Sequence, residues 1–154
     1  MSINILTAGE LAARLADREP RLGRTRLIAL DGRSGAGKTW LAGLLAVPLD
    51  APVIHLDDLY PGWNGPAAAG DALAARYAAR IWVEAPAADR RQRLRARPDW
   101  AAYEPHTRQW AELEDQLYRA EQTRQHCDVL IENPYPGPDQ DRDPTFRTTF
   151  SVQS

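Results

Sequence analysis

The segment 32–39, with the sequence GRSGAGKT, constrains the fold of this chain more than any other segment. It satisfies the pattern G-x-x-x-x-G-K-[ST], in which glycines let successive backbone N–H groups point at phosphate oxygens. The apolar run 26–30 precedes it and lacks polar alternation, as is typical of a strand buried on both faces. A helix is predicted to begin at Lys38 and to stop at Pro48. This order of strand, loop and helix is the context that a P-loop requires, and we predict one here.

The predicted P-loop supplies most of the candidate ligand-binding residues. We expect the Lys38 ammonium to reach the β- and γ-phosphates of a nucleotide and the Thr39 hydroxyl to hold Mg²⁺. Lys38 is the single lysine among nineteen lysines and arginines, at a position where a compact ammonium serves better than a planar guanidinium. A glycine-rich turn with a surface lysine is the alternative, and the complete motif in its context disfavours it. The residues predicted to bind nucleotide in this loop are Gly32, Ser34, Gly35, Ala36, Gly37, Lys38 and Thr39.

Strand and helix patterns alternate along the rest of the chain. Further strands are predicted at 52–56, 81–83 and 129–131, and further helices at 7–18, 71–79, 86–98 and 105–126. Such alternation is typical of an α/β fold with a mostly parallel sheet covered by helices. Residues 1–132 are therefore predicted to form one domain. Residues 133–154, rich in proline and charge, are predicted to be a flexible C-terminal tail.

An aspartate pair follows the predicted strand 52–56. In an open parallel sheet the carboxyl ends of the strands line the ligand crevice, so Asp57 is expected beside the P-loop. A carboxylate in that place can accept a proton from a substrate hydroxyl or hold Mg²⁺. A solvated turn or a helix cap is the commoner role for such a pair considered alone.

Arginines dominate the helix predicted after Pro86. Arg90, Arg93 and Arg97 are spaced i, i+3, i+7 and share one helix face, whereas Arg91 points elsewhere. That face can close over a polyphosphate, where guanidinium groups stabilise charge on a transferring phosphoryl group. In a chain whose cations are almost all arginine, the same residues can instead form a solvated face paired with neighbouring aspartates.

Composition narrows the class of partner. The chain has 154 residues, a net charge of -2 and no stretch of apolar residues long enough to cross a membrane. A balanced charge without a basic and aromatic stripe disfavours nucleic acid as a partner. One cysteine, Cys127, and an N-terminus without a secretory pattern predict a reduced, cytoplasmic protein that does not associate with membranes.

With these residues in place, the chain resembles the uridine kinase-like branch of P-loop small-molecule kinases. The resemblance is carried by residues 30–39, by HLDDLYPGW at 55–63, and by WVEAP at 82–86 with the arginines that follow. It implies a three-layer α/β/α P-loop NTPase fold. It also implies ATP and Mg²⁺ as cofactors, and transfer of the γ-phosphoryl group to a hydroxyl of a nucleoside-like small molecule. In that family the base is the aspartate that closes the second strand, which corresponds to Asp57, and the lid arginines resemble Arg90, Arg93 and Arg97.

One stretch departs from this family. Only seventeen residues, 64–80, connect two predicted strands where the family has a further strand with an acidic residue and helices that enclose the acceptor. A strand-helix-strand crossover needs about thirty residues, so we expect a sheet of four strands with one family strand missing. The rival hypothesis is consequently a nucleotide-binding module with little or no kinase turnover. A nucleic-acid-handling ATPase is a third hypothesis, which the net charge disfavours.

Overall fold

A computed structural model describes residues 3–59, 74–133 and 144–151 of the chain. Its elements in chain order are β1 (Ile3–Thr7), α1 (Ala8–Ala16), β2 (Leu27–Asp31), α2 (Lys38–Leu49), a 3₁₀ turn (Leu56–Leu59), β3 (Tyr77–Glu84), α3 (Ala87–Arg95), α4 (Trp100–Tyr103), a second 3₁₀ turn (Glu104–His106), α5 (Thr107–Glu121), β4 (Val129–Glu132) and β5 (Thr145–Phe150).

The strands form one open, mixed sheet in the order β1-β5-β4-β3-β2. The β2–β3 and β3–β4 pairs are parallel, whereas β5 runs antiparallel to both β4 and β1. The predicted α/β class is confirmed. The prediction of a mostly parallel, four-stranded sheet is wrong, because β1 and β5 add two antiparallel pairs.

The hydrophobic core lies between the sheet and the helices α1 and α2. Ile81 and Val83 of β3 alternate with Trp82 and face this core together with Leu11 and Leu41. Trp82 points to the opposite face, where its ring meets a tyrosine of α5 at a centroid distance of 4.8 Å. Helices therefore pack on both faces of the sheet.

The helices follow the sequence pattern closely, with corrections at their ends. Thr7 and Glu10 have the sequence spacing of a capping box and form one in the structure, since the Glu10 N–H donates to Thr7 Oγ1 at 3.2 Å and the Thr7 N–H donates to Glu10 Oε2 at 2.8 Å. Pro48 does not stop α2, which continues to Leu49, because a proline in the last turn removes only one helical hydrogen bond. The helix predicted at 105–126 corresponds to α5, which is shorter than predicted. It ends at Glu121, because Gln122 adopts a left-handed conformation with φ of 50°.

The prediction of a strand at 52–56 is wrong. Residues 51–55 have no regular structure, and Ile54 and Leu56 are 69% and 54% exposed. The residue types favour a strand, but a strand also needs a neighbour to satisfy its backbone. The only strand paired with β2 in the described part of the chain is β3.

The region before the third predicted strand is also corrected. Tyr77, Ala78 and Ala79 belong to β3 and not to a helix at 71–79. The two alanines are buried at 4% and 0% exposure, so packing within the sheet overrides their helical propensity. The rest of that predicted helix up to residue 73 lies outside the described residues.

The predicted flexible tail contains a strand. Phe146 and Thr148 of β5 are 2% and 0% exposed, and their alternation with exposed Thr145 and Arg147 is that of a half-buried strand. β5 lies between β1 and β4, so residues 145–150 belong to the sheet and the boundary predicted at 132 does not separate them from it.

Candidate functional site

Three chain segments meet at the carboxyl edge of the parallel strands. The loop 32–37 leaves β2, residues 85–86 lead from β3 into α3, and Asn133 follows β4. The Asn133 N–H donates to the Glu84 carbonyl at 2.8 Å, and its Nδ2 donates to the Ala36 carbonyl at 2.8 Å. Asn133, predicted only as the first residue of a tail, thus ties the end of β4 to the loop after β2.

The loop connects a strand to a helix, as the motif predicts. Gly37 lies at the N-cap of α2 with φ of 99°, and no side chain caps this helix end. The Lys38 ammonium folds back over the loop and donates to the carbonyl of Gly32 at 2.5 Å and to that of Arg33 at 3.4 Å. Thr39 follows in the first turn of α2 and is exposed. The positive end of the helix dipole and the ammonium therefore lie together.

Two glycines are required by close packing of the loop. A Cβ on Gly32 would lie 2.1 Å from the Val83 carbonyl oxygen, and one on Gly35 would lie 2.6 Å from the Arg90 carbonyl oxygen. Both neighbours are backbone atoms of ordered elements, which cannot move aside as a flexible side chain would. The motif glycines thus let the loop rest directly on β3 and α3.

Two of the three predicted lid arginines, both on α3, form hydrogen bonds with the loop. Arg93 Nη1 donates to the carbonyls of Gly35 at 3.2 Å and Ala36 at 3.1 Å, and its Nη2 donates to the Asn133 carbonyl at 3.2 Å. Arg90 Nη1 donates to the Ser34 carbonyl at 3.3 Å. These two predicted arginines reach the loop, where they bind its carbonyl groups.

Arg97, the third predicted lid arginine, has other partners. Its guanidinium forms two hydrogen bonds with the Asp99 carboxylate, at 2.8 and 2.7 Å, and lies 5.3 Å from the centre of the Tyr103 ring. The helical spacing correctly groups Arg90 with Arg93 but does not bring Arg97 to the loop, because α3 ends at Arg95.

Helix α5 contributes two site residues that the sequence analysis missed. Glu114 is 7% exposed, and its Oε1 accepts hydrogen bonds from the Ser34 N–H at 2.9 Å and the Ser34 hydroxyl at 2.5 Å. One turn later, the Tyr118 hydroxyl oxygen lies 2.9 Å from both Asp31 Oδ1 and the Gly32 carbonyl oxygen, two acceptors that share its single proton. Their i, i+4 spacing was the only sequence signal, and polar residues so spaced usually face solvent.

Burial and neighbouring charge shift the pKa values of groups around the loop. Burial raises the pKa of the Tyr118 hydroxyl, and the nearby Asp31 carboxylate raises it further, so the phenol stays protonated as a donor. Burial also lowers the pKa of Arg90, and the neighbouring guanidinium of Arg33 adds to this effect. Arg33 itself forms an ion pair with Asp115.

Asp57, which was predicted to be both the base and a metal ligand, does not lie at the end of a strand. Asp57 lies in the 3₁₀ turn Leu56–Leu59, which follows an irregular segment and no strand of the sheet, and its side chain lies outside the described residues. Across the described ranges, no three His, Cys, Asp or Glu side chains are grouped so that they could hold a metal ion. Mg²⁺ is commonly coordinated by only one or two protein groups, with waters and substrate phosphates as the other ligands. The Thr39 hydroxyl is exposed and is therefore accessible to such an ion.

A cavity of about 990 Å³ opens beside the loop. Its floor is the end of β3 from Trp82 to Glu84 with Ala85 and Pro86, and one wall is the C-terminal part of α5 with the turn after it. Arg33 and Arg90 line the side that adjoins the loop. The cavity therefore lies at the carboxyl edge of β3 and β4, the place where open α/β sheets bind ligands.

Comparison of the chain with protein families, curated proteins and solved structures gives no match. Among the helices that the structure describes, none has the length and apolar character needed to span a membrane.

Proposed function

We propose that this chain binds ATP and Mg²⁺ through the loop 32–39, as a P-loop protein of the uridine kinase-like type with a three-layer α/β/α fold. The observation that carries the proposal is the helix end at Gly37, which no side chain caps and over which the loop and the Lys38 ammonium lie. Backbone N–H groups at such an end bind phosphate, and the lysine adds a positive charge. Thr39, in the first turn, supplies the hydroxyl for Mg²⁺.

Binding is tested by thermal unfolding of the full chain with Mg-ATP. A ligand at 100 times its dissociation constant stabilises by about 2.7 kcal/mol, and we expect the wild-type Tm to rise by roughly 5 to 10 °C. Lys38→Ala should lose most of this rise because the ammonium is removed from the phosphate site. Arg91→Ala is the matched control, since Arg91 is an exposed cation on α3. A folded wild-type protein whose Tm does not respond to millimolar Mg-ATP contradicts the proposal.

Phosphoryl transfer to a small-molecule hydroxyl is the second candidate function, and the cavity beside the loop favours it. In this reaction the acceptor oxygen forms a bond to the γ-phosphorus, the bond from that phosphorus to the bridging oxygen breaks, and ADP leaves. The hydroxyl proton passes to a base, for which Asp57 is the proposed residue. The rival is a nucleotide-binding module without efficient transfer, and the irregular segment 51–55 before Asp57 favours that rival.

Release of ADP at saturating Mg-ATP, measured across a panel of nucleosides, separates these two functions. We expect weak or undetectable turnover, because a misplacement of about 1 Å in the reacting groups can cost roughly 100-fold in rate. Turnover of about 1 to 100 per second that Asp57→Asn abolishes would instead establish an efficient kinase.

A further inference from the structure

The cavity beside the loop has an excess of positive charge. Five arginines and two glutamates line it, and the arginines come from the loop, α3, α5, the turn after α5, and β5. They are Arg33, Arg90, Arg119, Arg124 and Arg147, and the glutamates are Glu84 and Glu132. Arginines from five separate parts of the chain therefore converge on one space.

Ion pairs account for only part of this charge. Arg124 Nε lies 2.9 Å from Glu84 Oε2, and Arg147 Nη1 lies 3.4 Å from Glu132 Oε2. These two pairs neutralise both glutamates of the lining, and a third ion pair joins Arg33 to Asp115. The side chains of Arg124 and Arg147 remain 52% and 56% exposed, so their guanidinium groups can still donate to a ligand in the cavity.

The cavity is also large and partly apolar. A volume of about 990 Å³ suits an organic molecule and exceeds the needs of a single inorganic anion. Ala85 and Pro86 supply apolar surface beside the arginines, and the Trp82 ring lies beneath at 4% exposure. Ligand pockets of this kind combine an apolar lining with a few charged groups that fix orientation.

We propose that this cavity binds a small organic anion, with its carboxylate or phosphate groups held by Arg119, Arg124 and Arg147. Guanidinium groups donate two parallel hydrogen bonds to either kind of anion, so carboxylate and phosphate share the same recognition chemistry. Binding of the anion in this cavity is independent of the proposed phosphoryl transfer. Only the further step, that the anion is the phosphoryl acceptor, rests on that proposed function. An anionic acceptor next to ATP would differ from the neutral nucleosides that the family resemblance implies.

Calorimetric titration of the full chain at fixed ionic strength tests the proposal. Citrate and glucose 6-phosphate are the carboxylate and phosphate probes, and glucose is the neutral control. We expect at least one anion to bind and glucose not to bind. Arg119→Gln and Arg147→Gln should each raise the Kd of the anion by roughly tenfold, as the loss of a charge-assisted hydrogen bond does. Arg119 is exposed on α5, so its variant remains informative even where the change in β5 impairs folding.

Two further variants make the outcome specific. Arg108→Gln should leave the anion Kd unchanged, since Arg108 lies on the same helix in an exposed pair with Glu112 outside the cavity. Lys38→Ala should lose ATP binding but keep the anion, so failure of the nucleotide proposal is distinguishable from failure of this one. Absence of binding by both anions, equal loss in Arg108→Gln, or displacement of the anion by Mg-ATP would each overturn the proposal.

Discussion

Glu114 places a carboxylate where the proposed ligand brings phosphate. Its Oε1 accepts hydrogen bonds from both the N–H and the hydroxyl of Ser34, a residue of the loop predicted to bind the nucleotide. Two negatively charged groups cannot share these donors without repulsion. In this structure, Glu114 therefore satisfies a loop donor that a bound phosphate would require.

We expect Glu114→Gln to bind Mg-ATP more tightly and to be less stable than the wild-type chain. Removing one charge about 6 Å from the phosphates should lower the Kd by roughly 100-fold, about 3 kcal/mol at an effective dielectric constant near 20. The free energy of unfolding should fall by about 1 to 3 kcal/mol, because hydrogen bonds from Ser34 to a buried charged acceptor are weakened.

Glu112→Gln is the matched control for this change. Glu112 lies on the same helix, in an exposed ion pair with Arg108, so both quantities should stay near their wild-type values. Calorimetry with Mg-ATP and urea denaturation measure the two effects. An unchanged or weaker affinity in Glu114→Gln would show that its carboxylate does not compete with phosphate.

At the scale of elements, α3 fixes the conformation of the loop. Arg90 and Arg93 bind carbonyl groups of the loop, and Arg93 also binds the carbonyl of Asn133 after β4. One helix thus links the two chain segments that follow β2 and β4. The role proposed from sequence for Arg93 was contact with the transferring phosphoryl group, and that role stays a prediction.

We expect Arg93→Ala to lower the free energy of unfolding by about 2 to 4 kcal/mol, because three loop or strand-end carbonyls lose a charged donor. Arg97→Ala should change it by less than about 1 kcal/mol, since its pair with Asp99 is exposed. Urea denaturation of both variants provides the measurement. Equal losses in the two would mean that the contacts of Arg93 with the loop do not stabilise the fold.

The sequence predicted those elements whose signal is local. The loop motif, the capping box at Thr7 and the grouping of Arg90 with Arg93 on α3 depend on residues within a few positions of each other, and the structure contains all three features. The prediction of a strand at 52–56 was wrong because strand formation also depends on a partner strand distant in sequence. Glu114 was missed for a similar reason, since nothing near it in sequence indicates that it meets Ser34, eighty residues away.

At the scale of the whole molecule, the sheet depends on residues near both ends of the described chain. β5 joins β1 to β4, and Phe146 inserts into the core, where its ring meets Trp40 edge to face at 5.8 Å. Residues 145–150 escaped the sequence analysis because two phenylalanines among polar residues gave too weak an alternation, and because the prolines before them indicated a flexible segment.

We expect a chain truncated after Asn133 to lose cooperative thermal unfolding, because β1 and β4 then lose their shared partner. Within the full chain, Phe146→Ala should lower the free energy of unfolding by about 3 to 5 kcal/mol, as for other buried phenylalanines. Thr145→Ala, at the exposed start of the same strand, should stay within about 0.5 kcal/mol of the wild type. A truncated chain that melts at the wild-type temperature would show that β5 is dispensable.

The position of β5 in the sheet also determines when the protein can finish folding during its synthesis. The ribosome makes β1 and β4 before it makes the strand that lies between them. Contact between strands so distant in sequence is slow, because a long loop must close first. Until β5 emerges, the nascent chain presents the edges of β1 and β4 to any other chain nearby, and such edges favour aggregation. A chaperone that shields the nascent chain until β5 has been made should therefore increase the yield of folded protein.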